Sequence, residues 1–385
     1  MKILHSTSDW LGLTKSWIYD QISFMPRKVE QSIWCYTRIN GPHETWKGNI
    51  FIEQASLYNL LCRITNSTLS LSLLQCKSPI FFEDYDVLFS HFGNRAWHDY
   101  MYIKGLPIKK VARFYGCDIG LTPKQPGWMK KYARIFNEYD MLLCEGPYMA
   151  RQLEYLGAPK EKIEWQYLGI NPALISTSLF PTEQLLDPLC ILIAGTFTEK
   201  KGIEYALQGI IQFVQHTKHK VRVTLIGDSG PVLNKENSRK EAIENLCKIM
   251  ATNETVELIR KGYVPLTELY SLMKENLIFL SPSVTAQNGD IEGGFPVTLT
   301  HAAANGMILI GTDHCDLPEI VRDRVNGYVC NQRSVESIRN SLCDVIQTNA
   351  TSLTAMRNAS LGICSAHFNA SDIGNYLYNL IINIS

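Results

Sequence analysis

The feature that most constrains the fold is a rhythm in the second half of the chain, where short apolar runs end in small residues and lead into helical patterns. "CILIAG" (190–195) passes through "TFTEKKG" into "IEYALQGIIQFV", where Ile203, Ala206, Leu207, Ile210, Ile211 and Val214 recur at helical spacing. "VRVTLIGD" (221–228), "LIFLSPS" (277–283) and "MILIGTD" (307–313) repeat the pattern. The spacing predicts a helix from Pro296 to Asn305, with proline in its first turn and Gly306 at its end. Strand, loop and helix in alternation build an α/β layer with a parallel sheet. Such sheets bind ligands at the carboxyl ends of their strands, where these glycine-containing loops lie.

The first half is similar but less regular. "KILHST" (2–7), "SIWCYT" (32–37), "DVLFSHFG" (86–93), "KVARFYG" (110–116) and "DMLLCEG" (140–146) read as strands. "LGINP" (168–172) breaks the periodicity and reads as a linker. The division is therefore an N-terminal domain over 1–170, a second over 171–365, and a terminal helix over 366–385 that packs on either one. Two Rossmann-like parallel-sheet domains joined in this way are expected to face a central cleft.

Composition excludes some classes. Lys plus Arg and Asp plus Glu number 37 each, so no whole-chain charge draws the protein to nucleic acid. Residues 1–170 carry 20 basic against 16 acidic side chains, which permits contact with an anionic membrane face without requiring it. The eleven cysteines contain no C-x-x-C pair, an arrangement expected of reduced thiols in a cytosol. The start, "MKILHSTSDW", reads as a first strand rather than a signal peptide, and no apolar run is long enough to span a bilayer.

Two loops can hold anions. In "GTFTEKKG" a strand end, Lys200, Lys201 and Gly202 precede a helix, whose first N–H groups and partial positive charge suit a phosphate. The alternative reading of these lysines is a solvated surface pair. The loop contains neither G-x-G-x-x-G nor G-x-x-x-x-G-K-[ST], against a dinucleotide oxidoreductase and against a P-loop ATPase. In "NGDIEGGFP" Glu292 can accept hydrogen bonds from sugar hydroxyls, and Gly293 and Gly294 allow close backbone approach. Its alternative is an ordinary surface turn. In the first half, His91 and Asp118 follow apolar runs and could orient a hydroxyl or take its proton, or be hydrogen-bonded structural residues. Tyr115 could stack on a sugar or lie in the core.

Residues 281–329, "SPSVTAQNGDIEGGFPVTLTHAAANGMILIGTDHCDLPEIVRDRVNGYV", resemble the PS…GD-x-EG…P…EA-x-A-x-G…T…PE-V…G-G signature of the family 4 glycosyltransferases of the GT-B fold. "AGTFTEKKG" resembles that family's phosphate loop. "RFYGCDIGLTP", "CEGPYMARQLEYLGAPKEKI" and "LGINP" resemble the first domain and linker of members that build colanic acid, capsule and O-antigen. The resemblance covers almost the whole chain. It implies transfer of a sugar from a nucleotide diphosphate to a hydroxyl, with retained anomeric configuration and no metal or cofactor. It also implies a polyprenyl-linked oligosaccharide acceptor and a cytoplasmic protein in peripheral contact with the inner membrane.

By matching position, Lys201 holds the diphosphate, Glu292 binds donor sugar hydroxyls, and Gly293, Gly294 and Phe295 complete that wall. Asp118 and His91 are expected beside the acceptor, with Tyr115 and Gly12 on the cleft. Two positions depart from the family pattern. Thr196 stands where an arginine is common, so one diphosphate cation is missing. His301 stands where a glutamate takes the nucleotide ribose. Imidazole can accept at one nitrogen and donate at the other, but it does not replace a bidentate carboxylate. His301 therefore makes one ribose contact, reflects another nucleotide pose, or marks weakened activity. Two competing readings are a nucleotide-sugar-binding protein that has lost catalysis and a GT-B nucleotide-sugar epimerase.

Overall fold

A computed structural model describes residues 1–10, 16–38, 46–53, 82–229 and 237–384. The chain divides into two compact units. The first comprises Met1–Glu145, Ala150–Gln166 and Ile373–Ser385; the second comprises Gly146–Met149 and Tyr167–Asp372.

Among the described residues, the first unit holds a parallel sheet of β1 (Lys2–Trp10), β2 (Glu30–Arg38), β3 (Ile50–Ile52), β4 (Val87–His91), β5 (Lys109–Arg113), β6 (Met141–Cys144) and β7 (Ile163–Trp165), in the order β3-β2-β1-β4-β5-β6-β7. The inner strands are apolar on both faces because helices cover both; every residue of β4 and β6 is buried. One face packs Ile3, Val87, Phe89, Val111 and Leu143 against Leu377 and Ile381 of the last helix, Ala370–Ile382.

The second unit holds β8 (Leu189–Ala194), β9 (Val221–Ile226), β10 (Val256–Lys261), β11 (Ile278–Ser281), β12 (Ile308–Thr312) and β13 (Gly327–Cys330), in the order β10-β9-β8-β11-β12-β13. All pairings are parallel. This is the doubly wound order in which the winding reverses between the first strand, β8, and the fourth, β11. A ligand crevice forms outside the carboxyl ends of the strands at such a reversal. The loops that leave β8 and β11 are residues 195–202 and 282–296, the two that carry the sequence motifs.

The expected helix after Pro296 spans Val297–Ala304, with Pro296 capping it. The pattern from Ile203 continues to Thr217 and buries Ile203, Ala206, Leu207, Ile210, Phe213 and Val214. Among the described residues, no helix is long and apolar enough to cross a membrane, and the cysteines are free thiols.

Candidate active site

At the winding reversal of the second unit, the two loops expected to hold anions are locked together by charge. Lys201 Nζ lies 2.9 Å from Glu292 Oε1 and 3.0 Å from Oε2. Ser283 Oγ donates to the same carboxylate at 3.0 Å. Alongside, Lys200 Nζ pairs with Asp290 at 3.2 Å and donates to the Ile291 carbonyl at 3.3 Å. Neither lysine is a freely solvated surface cation: their side chains are 20% and 21% exposed, and that of Glu292 only 6%.

Local backbone makes this pairing possible. Gly202 is left-handed, at φ 61°, and a Cβ there would stand 1.9 Å from the Pro282 carbonyl oxygen. Only glycine lets the loop after β8 lie against the loop after β11. Val284 N donates to the Lys200 carbonyl at 2.8 Å, closing the contact. Gly293, also left-handed at φ 83°, turns the chain between Glu292 and the helix.

Burial acts to raise the Glu292 pKa, but Lys201 and Lys200 outweigh it, and the carboxyl is held below its usual range. The site is thus a buried carboxylate whose ionised form the adjacent lysines favour. Thr196 is half-buried beside this loop, with Tyr263 Oη 3.5 Å from its hydroxyl and donating to the Asp228 carbonyl at 2.9 Å. Gly294 accepts from Asp316 N at 3.3 Å. Phe295 is a core residue: its ring packs on Tyr167 and Phe368 at centroid distances of 5.7 and 5.4 Å. Its side chain therefore supports the wall from behind, because an apolar ring at that turn gains more from the adjacent cluster than from water.

His301 is also buried, with Nδ1 2.5 Å from Tyr270 Oη and the two rings edge to face. Burial lowers its pKa to about 4, so the ring is neutral near pH 7.

The first unit departs from expectation. His91 and Asp118 were expected to face an acceptor, yet both are buried with their polar atoms committed internally. Asp118 accepts from Tyr115 N at 2.7 Å and from Gly93 N at 2.9 Å, tying down backbone donors at two strand-to-helix turns. His91 lies within a chain of four side chains: Tyr115 Oη to His91 Nδ1 at 2.7 Å, His91 Nε2 to His5 Nδ1 at 3.2 Å, and His5 Nε2 to Gln31 Oε1 at 3.0 Å. Gln31 Nε2 donates to the Ile22 carbonyl at 3.0 Å, so its oxygen faces His5 and must accept. Each ring then donates in one direction, and the Tyr115 hydroxyl donates to His91. Burial lowers the His5 pKa to about 4 and, with His5 and Arg113 nearby, places that of His91 well below the usual histidine range. His91 is therefore a neutral acceptor already in use. Tyr115 is buried, its ring 4.5 Å from that of Trp17 and 4.6 Å from that of Phe92. Gly12 lies outside the described residues.

Sequence reasoning gave no role to Ser283, His314 or Gln332. His314 follows the carboxyl end of β12, the position at which a parallel sheet presents polar side chains to a ligand, and its Nε2 accepts from Glu292 N at 3.2 Å.

Comparison with known proteins bears on the fold and on the second unit. Residues 178–360 match the family described as glycosyl transferases group 1. A curated relative, the amylovoran biosynthesis glycosyltransferase AmsK of Erwinia amylovora, is 29% identical over 267 residues. The match covers 69% of this chain and 62% of that protein. Among solved structures, Anabaena Alr3699/HepE in complex with UDP superposes with a TM-score of 0.74 at 14% identity, covering 99% of this chain and 100% of that one. Sucrose-phosphate synthase from Thermosynechococcus elongatus gives a TM-score of 0.72, also at 14% identity, with both chains fully covered. The fold is that of the GT-B glycosyltransferases, and residues 178–360 carry the similarity to glycosyl transferases group 1.

Proposed function

We propose that this protein transfers a sugar, with retention of configuration, from a nucleotide diphosphate donor to a hydroxyl of a lipid-linked oligosaccharide during bacterial surface polysaccharide synthesis. Family 4 membership and metal independence are parts of the same reading. The observation that carries it is the Lys201–Glu292 pair at the sheet's winding reversal. A departing diphosphate needs a cation aimed at it, and sugar hydroxyls need a fixed carboxylate; the two loops bring one of each together. The donor class is supported by a related fold solved with UDP and with UDP-glucose, and the pathway by the amylovoran name of the relative.

In this reading Lys201 moves onto the diphosphate, leaving Glu292 to accept from the sugar. The leaving phosphate takes the acceptor proton, so no side-chain base is required of His91 or Asp118. Membrane contact is supported by the helix Trp128–Glu138, which buries Tyr132, Ile135 and Phe136 and turns Met129, Lys130 and Arg134 outward. Lys131 Nζ sits 4.5 Å from the Trp128 ring and 5.6 Å from that of Trp97. Tryptophan, methionine and lysine together suit the headgroup boundary of an anionic bilayer.

Calorimetric titration with UDP, GDP, ADP and dTDP tests the donor assignment. One nucleotide is expected to bind at micromolar Kd. Absence of binding by all four would refute a working donor site and favour the inactive reading marked by Thr196 and His301.

A further inference from the structure

His314 is buried and joins three loops of the second unit. Its Nε2 lies 3.2 Å from Glu292 N, its Nδ1 3.1 Å from Gln332 Oε1. A backbone N–H can only donate, so Nε2 carries the lone pair and the proton sits on Nδ1. Gln332 Oε1 also receives Thr285 N at 3.0 Å, which independently fixes the amide oxygen toward the ring. Gln332 is anchored in turn, its N donating to Asp313 Oδ1 at 3.0 Å. Cys315 Sγ lies 3.2 Å from the same Nε2. Two backbone donors at opposite ends thus leave the imidazole one tautomer.

This arrangement matters most when the donor is bound. The Glu292 side chain is held by Lys201 and Ser283. Once Lys201 turns to a diphosphate, the carboxylate keeps the Ser283 hydroxyl and the restraint at its own backbone. We propose that His314 is a positioning residue that fixes the Glu292 backbone, and so aims the carboxylate at the donor sugar, after Lys201 has left it. The proposal rests on the donor-site reading above. It predicts an effect on turnover rather than on nucleotide affinity, because the contacts of His314 run to Glu292, Gln332, Thr285 and Cys315 rather than to Lys201.

The test compares wild type with His314→Leu, which removes the acceptor, and His314→Gln, whose amide oxygen can accept from Glu292 N. UDP, GDP, ADP and dTDP are titrated first, and donor hydrolysis is then followed with the matching UDP-glucose, GDP-mannose, ADP-glucose or dTDP-glucose. The Leu variant is expected to keep nucleotide Kd within about twofold and to lose tenfold or more in kcat, since a displacement near 1 Å at a reacting group costs up to about 10²-fold. The Gln variant is expected to recover most of that loss. Unchanged kcat in the Leu variant overturns the proposal. So does a joint fall in thermal stability, affinity and kcat that Gln does not restore, which marks a merely structural histidine. Should His314→Leu fail to fold, Gln332→Ala leaves the ring in place without its nearer Nδ1–H acceptor, the Thr285 hydroxyl remaining at 3.5 Å. It is expected to lower kcat severalfold at constant nucleotide Kd, and unchanged kcat refutes. Wild type that binds none of the four nucleotides fails the donor-site reading itself, a result visible before any substitution is made.

Discussion

Replacing Lys201 by Met removes the ammonium from a carboxylate whose side chain is 6% exposed. Breaking a fully buried pair by deleting one partner costs about 3–5 kcal/mol, most of it the penalty of an uncompensated charge. Here the cost is smaller. Lys201 is itself 21% exposed, and Ser283 and the Lys200 charge still support Glu292. The expected loss is about 2–3 kcal/mol, or a fall of about 5–10 °C in the transition of a domain this size. Glu292→Gln leaves a lysine that can reach water and should cost about 1 kcal/mol. The double variant should be more stable than the sum of the two by about 1–2 kcal/mol.

The pH dependence supplies an independent sign. In wild type the folded pKa of Glu292 is depressed. Its stabilisation is therefore present above the unfolded value, about 4.3, and is lost as pH falls through the folded value. Without Lys201, burial dominates and raises the pKa, so the gap between wild type and variant narrows on acidification from pH 7 to 4. Chemical denaturation of the four proteins at several pH values measures both effects. A Lys201→Met protein within about 0.5 kcal/mol of wild type, or additivity within the same margin, would refute the claim that the pair holds the two loops.

Glu292→Gln should lower donor turnover at least tenfold while changing nucleotide Kd only a few-fold; equal losses in both would place its role away from the sugar. His5 and His301 have pKa values lowered to about 4 by burial, so the unfolded chain takes up protons that the native one refuses. Stability should be full above about pH 6.5 and fall by a few kcal/mol toward pH 4; a flat profile between pH 6.5 and 5 would show that these rings are not buried neutral. Charge reversal at Lys130, Lys131 and Arg134 should abolish sedimentation with vesicles of phosphatidylglycerol and phosphatidylcholine while sparing nucleotide binding; retained sedimentation would move the membrane contact elsewhere.

The strands that the sequence made legible are those with the strongest constraint. β8, β9, β11 and β12 are near-continuous apolar runs because helices cover both sheet faces. β10 and β13 were missed. They lie at the sheet edges, where "VELIRK" alternates with charge and "GYVC" is too short to stand out. Lys201 and Glu292 could be singled out in the sequence because glycine turns and a helix start suit an anion, but their mutual pairing could not. They stand 91 positions apart, and nothing local signals the contact. His91 and Asp118 show the converse. A polar residue at a strand end reads as facing a ligand, yet the same place is where backbone donors and buried hydroxyls need an acceptor, and here that need is met first.

The two positions that depart from the pattern this sequence resembles, Thr196 and His301, meet in one stretch of chain. "KGYVPLTELY" leaves β10 and forms the start of the helix Leu266–Lys274. Tyr263 from its first half places Oη 3.5 Å from the Thr196 hydroxyl, and Tyr270 from its second half reaches His301 Nδ1. At 3.5 Å the first contact is weak, and the phenol's proton goes to the Asp228 carbonyl at 2.9 Å. The second is a close bond to a buried ring that burial holds neutral. A carboxylate at position 301 would face the same burial with one phenol to offset it, and its ionised form would be costly. The neutral imidazole is thus the side chain this pocket tolerates, given Tyr270. His301 and Tyr270 act as a unit, and restoring a glutamate at 301 alone should destabilise the second unit at pH 7 by about 1–3 kcal/mol, with relief as pH falls toward 5 and the carboxyl protonates. A His301→Glu protein as stable as wild type at pH 7 would show instead that the position opens to water and stands free to meet a ribose.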